Sequence, residues 1–288
     1  MNLTKNVPCK ANAGYVLFYT YIIMINRERF IADVEAVRRR SPLVHNITNY
    51  VAMNNSANAL LAIGASPVMA HWTDEMADMT AIAGALVINI GTLDTQWIEG
   101  MLAAGKAASL RGTPIVLDPV GAGATPQRTA TALRIIEECK PTIIRGNGSE
   151  IMALVDASVK SKGVDSSASS HDALGAAKSL AQSSGAVVVI SGPTDYITDG
   201  QRVETITNGN PIMTSVTAMG CTASSMVGAF AAVNADAFEA SCHAMAVMGI
   251  AGQRAAAYSK GNGSMQVNFL DELYNFSPTE AAQMLSQE

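Results

Sequence analysis

The stretch Ala85–Gly121, ALVINIGTLDTQWIEGMLAAGKAASLRGTPIVLDPVG, sets the fold class. It opens on a continuous apolar run, ALVINIG, too short for a helix. It then passes through a helical segment, DTQWIEGMLAAGKAASLRG, and returns to a second apolar run, PIVLDPVG. Strands that are apolar on both faces and joined by a helix run parallel, with helices covering both sides of the sheet. The same alternation continues downstream. TPQRTATALRIIEECK reads as a helix, PTIIRGN as a strand, SEIMALV and SSHDALGAAKSLAQSSG as helices, and AVVVIS as a strand.

Upstream, a helix is predicted from about Met24 to Arg40, ending before Pro42, followed by an extended piece in SPLVHNITNYV. VAMNNSANALLAIGA reads as a helix closed by Gly64, SPVMA as a short strand, and TDEMADMTAIAGA as a helix with a capped start near Thr73 and Met76. In YITDGQRVETI, Asp199-Gly200 between two β-rich runs marks a hairpin. After Asn210-Pro211 the chain reads as helical from Cys221 to about Ser259. With no repeat or linker, the expectation is one domain over residues 24–288, a three-layer α/β/α fold with a mostly parallel central sheet. Residues 1–23 are expected to be an N-terminal extension. AGYVLFYTYIIMIN lacks a small-residue cleavage pattern and is too short to span a bilayer, so a start at Met24 or a loose arm is preferred to a secretion signal.

Composition narrows the function classes. A net charge of −5 and a pI near 5.4 disfavour a nucleic-acid surface, and Arg38-Arg39-Arg40 reads as a solvated helix end. Only 15% of residues are charged, against about 25% in ordinary domains, which suggests a buried subunit interface. The four cysteines, Cys9, Cys139, Cys221 and Cys242, form no CxxC pair, which favours a reducing, cytoplasmic setting over disulfide scaffolding.

In open parallel sheets, ligands bind beyond the carboxyl ends of the strands. The polar residues expected there are Asn89, Asp118, Arg145, Asn147 with Glu150, and Ser191, so four strand ends point at one cleft. Asp118, held rigid by Pro119, suits Mg²⁺ or caps the following loop. Glu150, three residues beyond Asn147 at a helix start, fits an ordinary capping box. Arg145 at the end of a buried strand needs an anionic partner, either a nucleotide phosphate or a structural carboxylate. GAGATP lacks the third glycine of a dinucleotide fingerprint, and GxxxxGK[ST], HExxH and GxSxG are absent.

TSVTAMGCTASSMVGAF, Thr214–Phe230, turns from loop into helix at Gly220-Cys221. Amides at such a helix start form an anion hole. A thiol there is expected to have a lowered pKa, whereas the alternative reading is a small buried hydrophobe.

Taken together, SPLVHNITNYV, ALLAIGASPVMAH, LVINIGTL, VLDPVGAGATPQRT, KPTIIRGNGSEIMAL, DYITDG and the loop ending in Gly220-Cys221 resemble the hydroxyethylthiazole kinase family of the ribokinase-like superfamily, from about Ser41 to Asn275. The resemblance implies transfer of the ATP γ-phosphate to the hydroxyl of 4-methyl-5-(2-hydroxyethyl)thiazole, in thiamine biosynthesis and salvage. It implies that Cys221 stands where most ribokinase-like relatives carry a catalytic Asp, with Gly220 and the preceding loop as the anion hole. Asp118 and Glu150 would serve Mg²⁺. Arg145, Ser191 and Asn147 would serve ATP, and Met69, Asn46 and Ala218 the thiazole. It also implies a homotrimer with sites between subunits, and a start near Met24.

The chain departs from the family where Gly-Thr-Gly-Cys is usual: it reads Ala218-Met219-Gly220-Cys221, with a methyl and a thioether in place of a hydrogen and a hydroxyl. Ser191 for Thr and Gly148 for Ala are milder changes. The alternatives are a kinase of hydroxymethylpyrimidine or pyridoxal, whose anion-hole helix generally carries Asp, a hydrate dehydratase of the same fold, or a non-catalytic nucleotide- or metabolite-binding relative.

Overall fold

A computed structural model describes residues 21–22, 25–155 and 173–285. The strands are β1 (Tyr21–Ile22), β2 (Leu43–Ile47), β3 (Ser66–Val68), β4 (Ala85–Asn89), β5 (Ile115–Asp118), β6 (Ile143–Asn147), β7 (Val187–Ser191), β8 (Asp195–Thr198) and β9 (Arg202–Ile206). They form one sheet in the order β1-β9-β8-β7-β6-β5-β4-β2-β3. All pairings are parallel except those of β8 with β7 and β9, which contain the hairpin expected at Asp199-Gly200.

Each central strand sends alternate residues to opposite cores. Val44, Val87, Val116 and Ile143 pack with Phe30, Leu60, Phe230, Phe238 and Phe269. Those residues come from α1 (Arg27–Arg40), α2 (Met53–Ile63), α8 (Met219–Ala231), α9 (Ala237–Ala256) and α10 (Asn262–Tyr274). Leu86, Ile88, Leu117 and Ile144 pack instead with Met76, Met101, Ile135, Ile151 and Leu180. These lie on α3 (Met76–Ile82), α4 (Thr95–Arg111), α5 (Pro126–Cys139), α6 (Gly148–Val155) and α7 (Leu174–Ser184). A short α11 (Pro278–Ala281) is the last helix among the described residues. The two cores explain why the strands read as unbroken apolar runs, and they make the three layers expected from the sequence.

Several boundaries differ from expectation. The first helix begins at Arg27 rather than Met24, because Asn26 caps it through a 3.0 Å bond from the Arg29 amide. Tyr21–Ile22 pairs with Arg202–Val203, whereas the rest of the proposed extension, residues 1–20 and 23, and the proposed start at Met24 lie outside the described residues. The first part of SSHDALGA, through Asp172, also lies outside them. Gly64 closes α2 as expected, in the left-handed region at φ 102°. No side chain caps α3: Glu75 keeps right-handed helical geometry, so a 3-10 turn over Thr73–Glu75 runs straight into the helix.

The long C-terminal helix is two. Asn234 accepts from the Asp236 amide, and Asp236 then caps α9 through Phe238 and Glu239. Arg202 secures the break by binding Asp236 and Asp199. Helix α10 lies beyond the expected helical limit at Ser259.

Glu204 on β9 is buried, and burial pushes its carboxyl up to about 7 against the backbone bond from Thr205. The native state therefore holds a proton that the unfolded chain releases above its ordinary value of 4.5. The associated stability is complete below that value and is lost as pH rises to about 7. Glu204→Gln is expected to match the wild type in urea unfolding at pH 4 and to exceed it by up to about 3 kcal/mol at pH 8. Equal stability of the two proteins at pH 8 would contradict this.

Candidate active site

The sheet brings β4, β5, β6 and β7 side by side, so their carboxyl ends line one edge. Asn89 pairs across from Asp118, and Asn147 from Ser191. Asp118 is 1% exposed, and its Oδ2 accepts from Asn89 Nδ2 at 2.7 Å and from Ser224 Oγ at 2.8 Å. Ser224 comes from α8, one turn beyond Cys221, and so ties that helix to the strand end. Burial pushes the Asp118 carboxyl above its usual range, opposed by Arg145 and by the bonds from Ser224 and Asn89.

Glu150 is 4% exposed. Its Oε2 accepts from the Asn147 amide while Asn147 Oδ1 accepts from the Glu150 amide, the reciprocal capping box. Its Oε1 accepts from the Gly121 amide in the turn after Asp118, at 2.8 Å. Burial, reinforced by nearby Asp118, pushes Glu150 up to about 7, with the Gly121 and Asn147 amides and Arg145 opposing. The capping reading of Glu150 is thus realised, and its carboxyl lies near enough to Asp118 to feel that group's charge.

Strand β6 runs two residues past Arg145 to Asn147, so Arg145 lies at its middle rather than at the end expected from the sequence, at 7% exposure. Its Nη2 donates to Ser191 Oγ at 2.6 Å, and its Nε is buried without a partner among the described residues. It lowers the carboxyl pKa values of Asp118, Glu150 and Asp195, so its charge is shared among several buried acids. The orphaned Nε is a donor left for a further acceptor.

Gly220 lies against this guanidinium: a Cβ built there would be 2.9 Å from Arg145 Nη1. Ala218, the cap residue of α8, sits at φ 64°, ψ 6° and makes no side-chain cap, so its own side chain leaves the first amides of the helix open. A left-handed alanine costs about 1–2 kcal/mol, offset in part by the greater unfolded-state entropy of glycine. Ala218→Gly is therefore expected to raise stability by about 0.5–1 kcal/mol, a Tm gain of about 2–3 °C. A fall in Tm on thermal denaturation would show that the turn is not strained.

Cys221 corrects an expectation. Its thiol is not lowered by the helix start but pushed up to about 11, by burial first and then by Asp118, against Asn49, Asn89 and Arg145. It is a neutral thiol at physiological pH, and its Sγ accepts from Asn49 Nδ2 at 3.3 Å. Asn49 also donates to Asn89 Oδ1, which accepts from the Gly91 amide as well. A chain of amides therefore runs from Asp118 through Asn89 and Asn49 to the sulfur.

Met69 is half-buried just past β3. Asn46 is fully buried, with Nδ2 donating to Val44 O and Oδ1 accepting from Ser225 Oγ, so it anchors α8 to β2. Asn49, Ser224 and Asp195 had no predicted role. Asn49 sits in a polar loop with no periodic signal, and Ser224 stands in a run of small residues that reads as packing. Among the described residues no group of three or more His, Cys, Asp or Glu side chains could hold a metal ion, and no helix is long and apolar enough to cross a membrane.

Comparison with known proteins identifies the fold and the family. A ribokinase-like superfamily protein from Enterococcus faecalis superposes with a TM-score of 0.61 at 14% identity, covering 84% of this chain and 87% of that one. This likeness, like that to the Bacillus subtilis pyridoxal kinase (TM-score 0.55, 18% identity, 78% of this chain and 99% of that one), defines the fold: a ribokinase-like α/β/α domain. The model of the hydroxyethylthiazole kinase family matches residues 34–279, and the chain belongs to that family. The hydroxyethylthiazole kinase of Leptospira biflexa is 54% identical over 89% of this chain and 96% of its own length, and that of Syntrophus aciditrophicus 52% over 91% and 98%. The solved hydroxyethylthiazole kinase of Pyrococcus horikoshii superposes with a TM-score of 0.81 at 40% identity, over 87% of this chain and 94% of that one. The chain is thus an ATP-dependent kinase acting on the hydroxyl of hydroxyethylthiazole.

Proposed function

We propose that the cleft performs this transfer with Mg²⁺ and with the residues named above in divided roles. The observation that carries the reading is the buried Arg145 Nε, without a partner among the described residues, beside the start of α8 that Ala218 leaves uncapped. Two sets of donors there converge where a phosphoryl group needs them. Arg145, Ser191 and Asn147 bind ATP. The amides around Gly220 receive the charge that develops on the transferring group. Met69, Asn46 and Ala218 shape the place of the thiazole alcohol, Met69 by polarisable contact with the ring and Asn46 by holding α8 at its distance.

The donor set fits Mg²⁺. Two buried carboxyls, Asp118 and Glu150, lie close enough to raise the Glu150 pKa, and the ion ordinarily takes one or two carboxylates alongside substrate phosphates and water. When bound, Mg²⁺ supplies charge neutralisation at the phosphate oxygens. As a neutral thiol that accepts from Asn49, Cys221 keeps a proton to donate and is no base at neutral pH. The alcohol is activated by position and field. Cys221→Ala is accordingly expected to lower kcat about 3- to 10-fold, while Cys221→Asp, which installs a carboxylate general base, retains or raises it. An inactive Asp variant in a steady-state assay would contradict this role.

The low fraction of charged residues supports a homotrimer with sites between subunits, checked by mass in solution, and the cysteine pattern supports a cytoplasmic setting. The test of the whole reading is coupled ADP release from Mg-ATP with hydroxyethylthiazole, hydroxymethylpyrimidine and pyridoxal. Release with the thiazole alone supports it, and release only with another alcohol moves the substrate. Silence across the panel with ATP still bound would overturn it.

A further inference from the structure

We infer that Arg128, on the first turn of α5, is a positioning residue for phosphoryl transfer: it clamps the two strand-end turns that carry Asn89 and Asp118. The β4–β5 ladder ends where the Ile90 amide donates to Asp118 O at 3.2 Å. Beyond that point the carbonyls of the two turns need other donors. Arg128 supplies them, with Nη1 donating to Ile90 O at 2.9 Å and to Val120 O at 2.7 Å, and Nη2 to Gly91 O at 2.8 Å. A guanidinium is suited to this, because its donors are fixed in one plane and its charge strengthens each bond.

The surrounding chain is shaped to admit it. Gly121 lies at φ 76°, and a Cβ there would be 3.0 Å from Arg128 Cδ. The Gly121 amide donates to Glu150 Oε1, and the Gly123 amide to Thr129 Oγ1. The Asp118 turn is thus held by Arg128 through a carbonyl and by Glu150 through the next amide. On the other side, Gly91 donates to Asn89 Oδ1, and Asn89 donates to Asp118. Arg128 therefore fixes the separation of Asp118 from Glu150 without touching either carboxyl. Its link to catalysis rests on the reading of those two as the Mg²⁺ residues.

The test compares Arg128→Lys and Arg128→Met with the wild type and with Asp118→Asn, all as the full chain. Amide hydrogen exchange without ligand is expected to quicken about tenfold or more over residues 90–92 and 120–123 in Arg128→Met, and less in Arg128→Lys. Misplacing the turns is expected to lower kcat about 30- to 100-fold in Arg128→Met, with the KM for the thiazole alcohol within about threefold and partial recovery in Arg128→Lys. The Mg²⁺ concentration giving half-maximal rate should rise about tenfold. Unchanged exchange in the two turns, or a lowered Tm with kcat intact, would overturn the inference. Full activity of Asp118→Asn would instead remove the metal reading, and the exchange and kcat of the Arg128 variants would still decide the clamp.

Discussion

Replacing Arg145 by Met is expected to lower kcat/KM for ATP by about a thousandfold, near 4 kcal/mol of transition-state stabilisation. The side chain keeps its approximate length but loses every donor. What remains is Ser191 Oγ without its 2.6 Å partner and a group of buried acids, Asp118, Glu150 and Asp195, without the cation that lowers the pKa of each. Burial already raises Asp195 to about 6 and Glu150 to about 7, so loss of Arg145 drives these carboxyls further toward protonation and away from binding a divalent cation. Arg145→Lys keeps the charge without the planar fork and should fall between the two. Steady-state kinetics with varied ATP decide it, and a Met variant within threefold of wild type would sink the role.

Asp118→Asn is expected to abolish turnover by about a thousandfold or more while leaving the fold as stable as before, or more so. An asparagine Oδ1 can still accept from Asn89 and Ser224, the two donors that meet at Asp118 Oδ2. Removing a buried charge relieves the desolvation that raises its pKa. Activity and stability should therefore move independently. A single-turnover assay paired with thermal melting reads both, and a variant that loses activity only because it unfolds would show that Asp118 is structural.

These expectations rest on residues of unequal visibility in the sequence. Asp118 and Ser191 were visible as polar ends of apolar strands, because a buried parallel sheet leaves polarity mostly at its ends, and Arg145 as a charge within one, two residues before the strand stops. Glu150 was visible but ambiguous, since its spacing is that of an ordinary capping box and only the family resemblance pointed to a metal. Its contacts with Asn147 and Gly121 show the capping function while bringing it beside Asp118. The elevated thiol of Cys221 was not legible. A helix start lowers a thiol's pKa only where solvent or a cation leaves the field unopposed, and here burial and Asp118 oppose it. The left-handed Ala218 was half legible: the methyl could be read from the sequence, but not the φ of 64° that makes it strained.

By itself the sequence determined the layered α/β/α class, the parallel core of the sheet, the hairpin and the polar strand ends that line one edge of the sheet. These follow from local periodicity, which records whether each residue faces water or a core. Only the tertiary structure decided that Ser224 and Asn49 hold Asp118 and Cys221 in one network, that Arg145 has a donor with no partner among the described residues, and that the C-terminal helix breaks at Asn234–Asp236. Those are contacts between residues distant in sequence, and their energies depend on burial and on neighbours that no local pattern encodes.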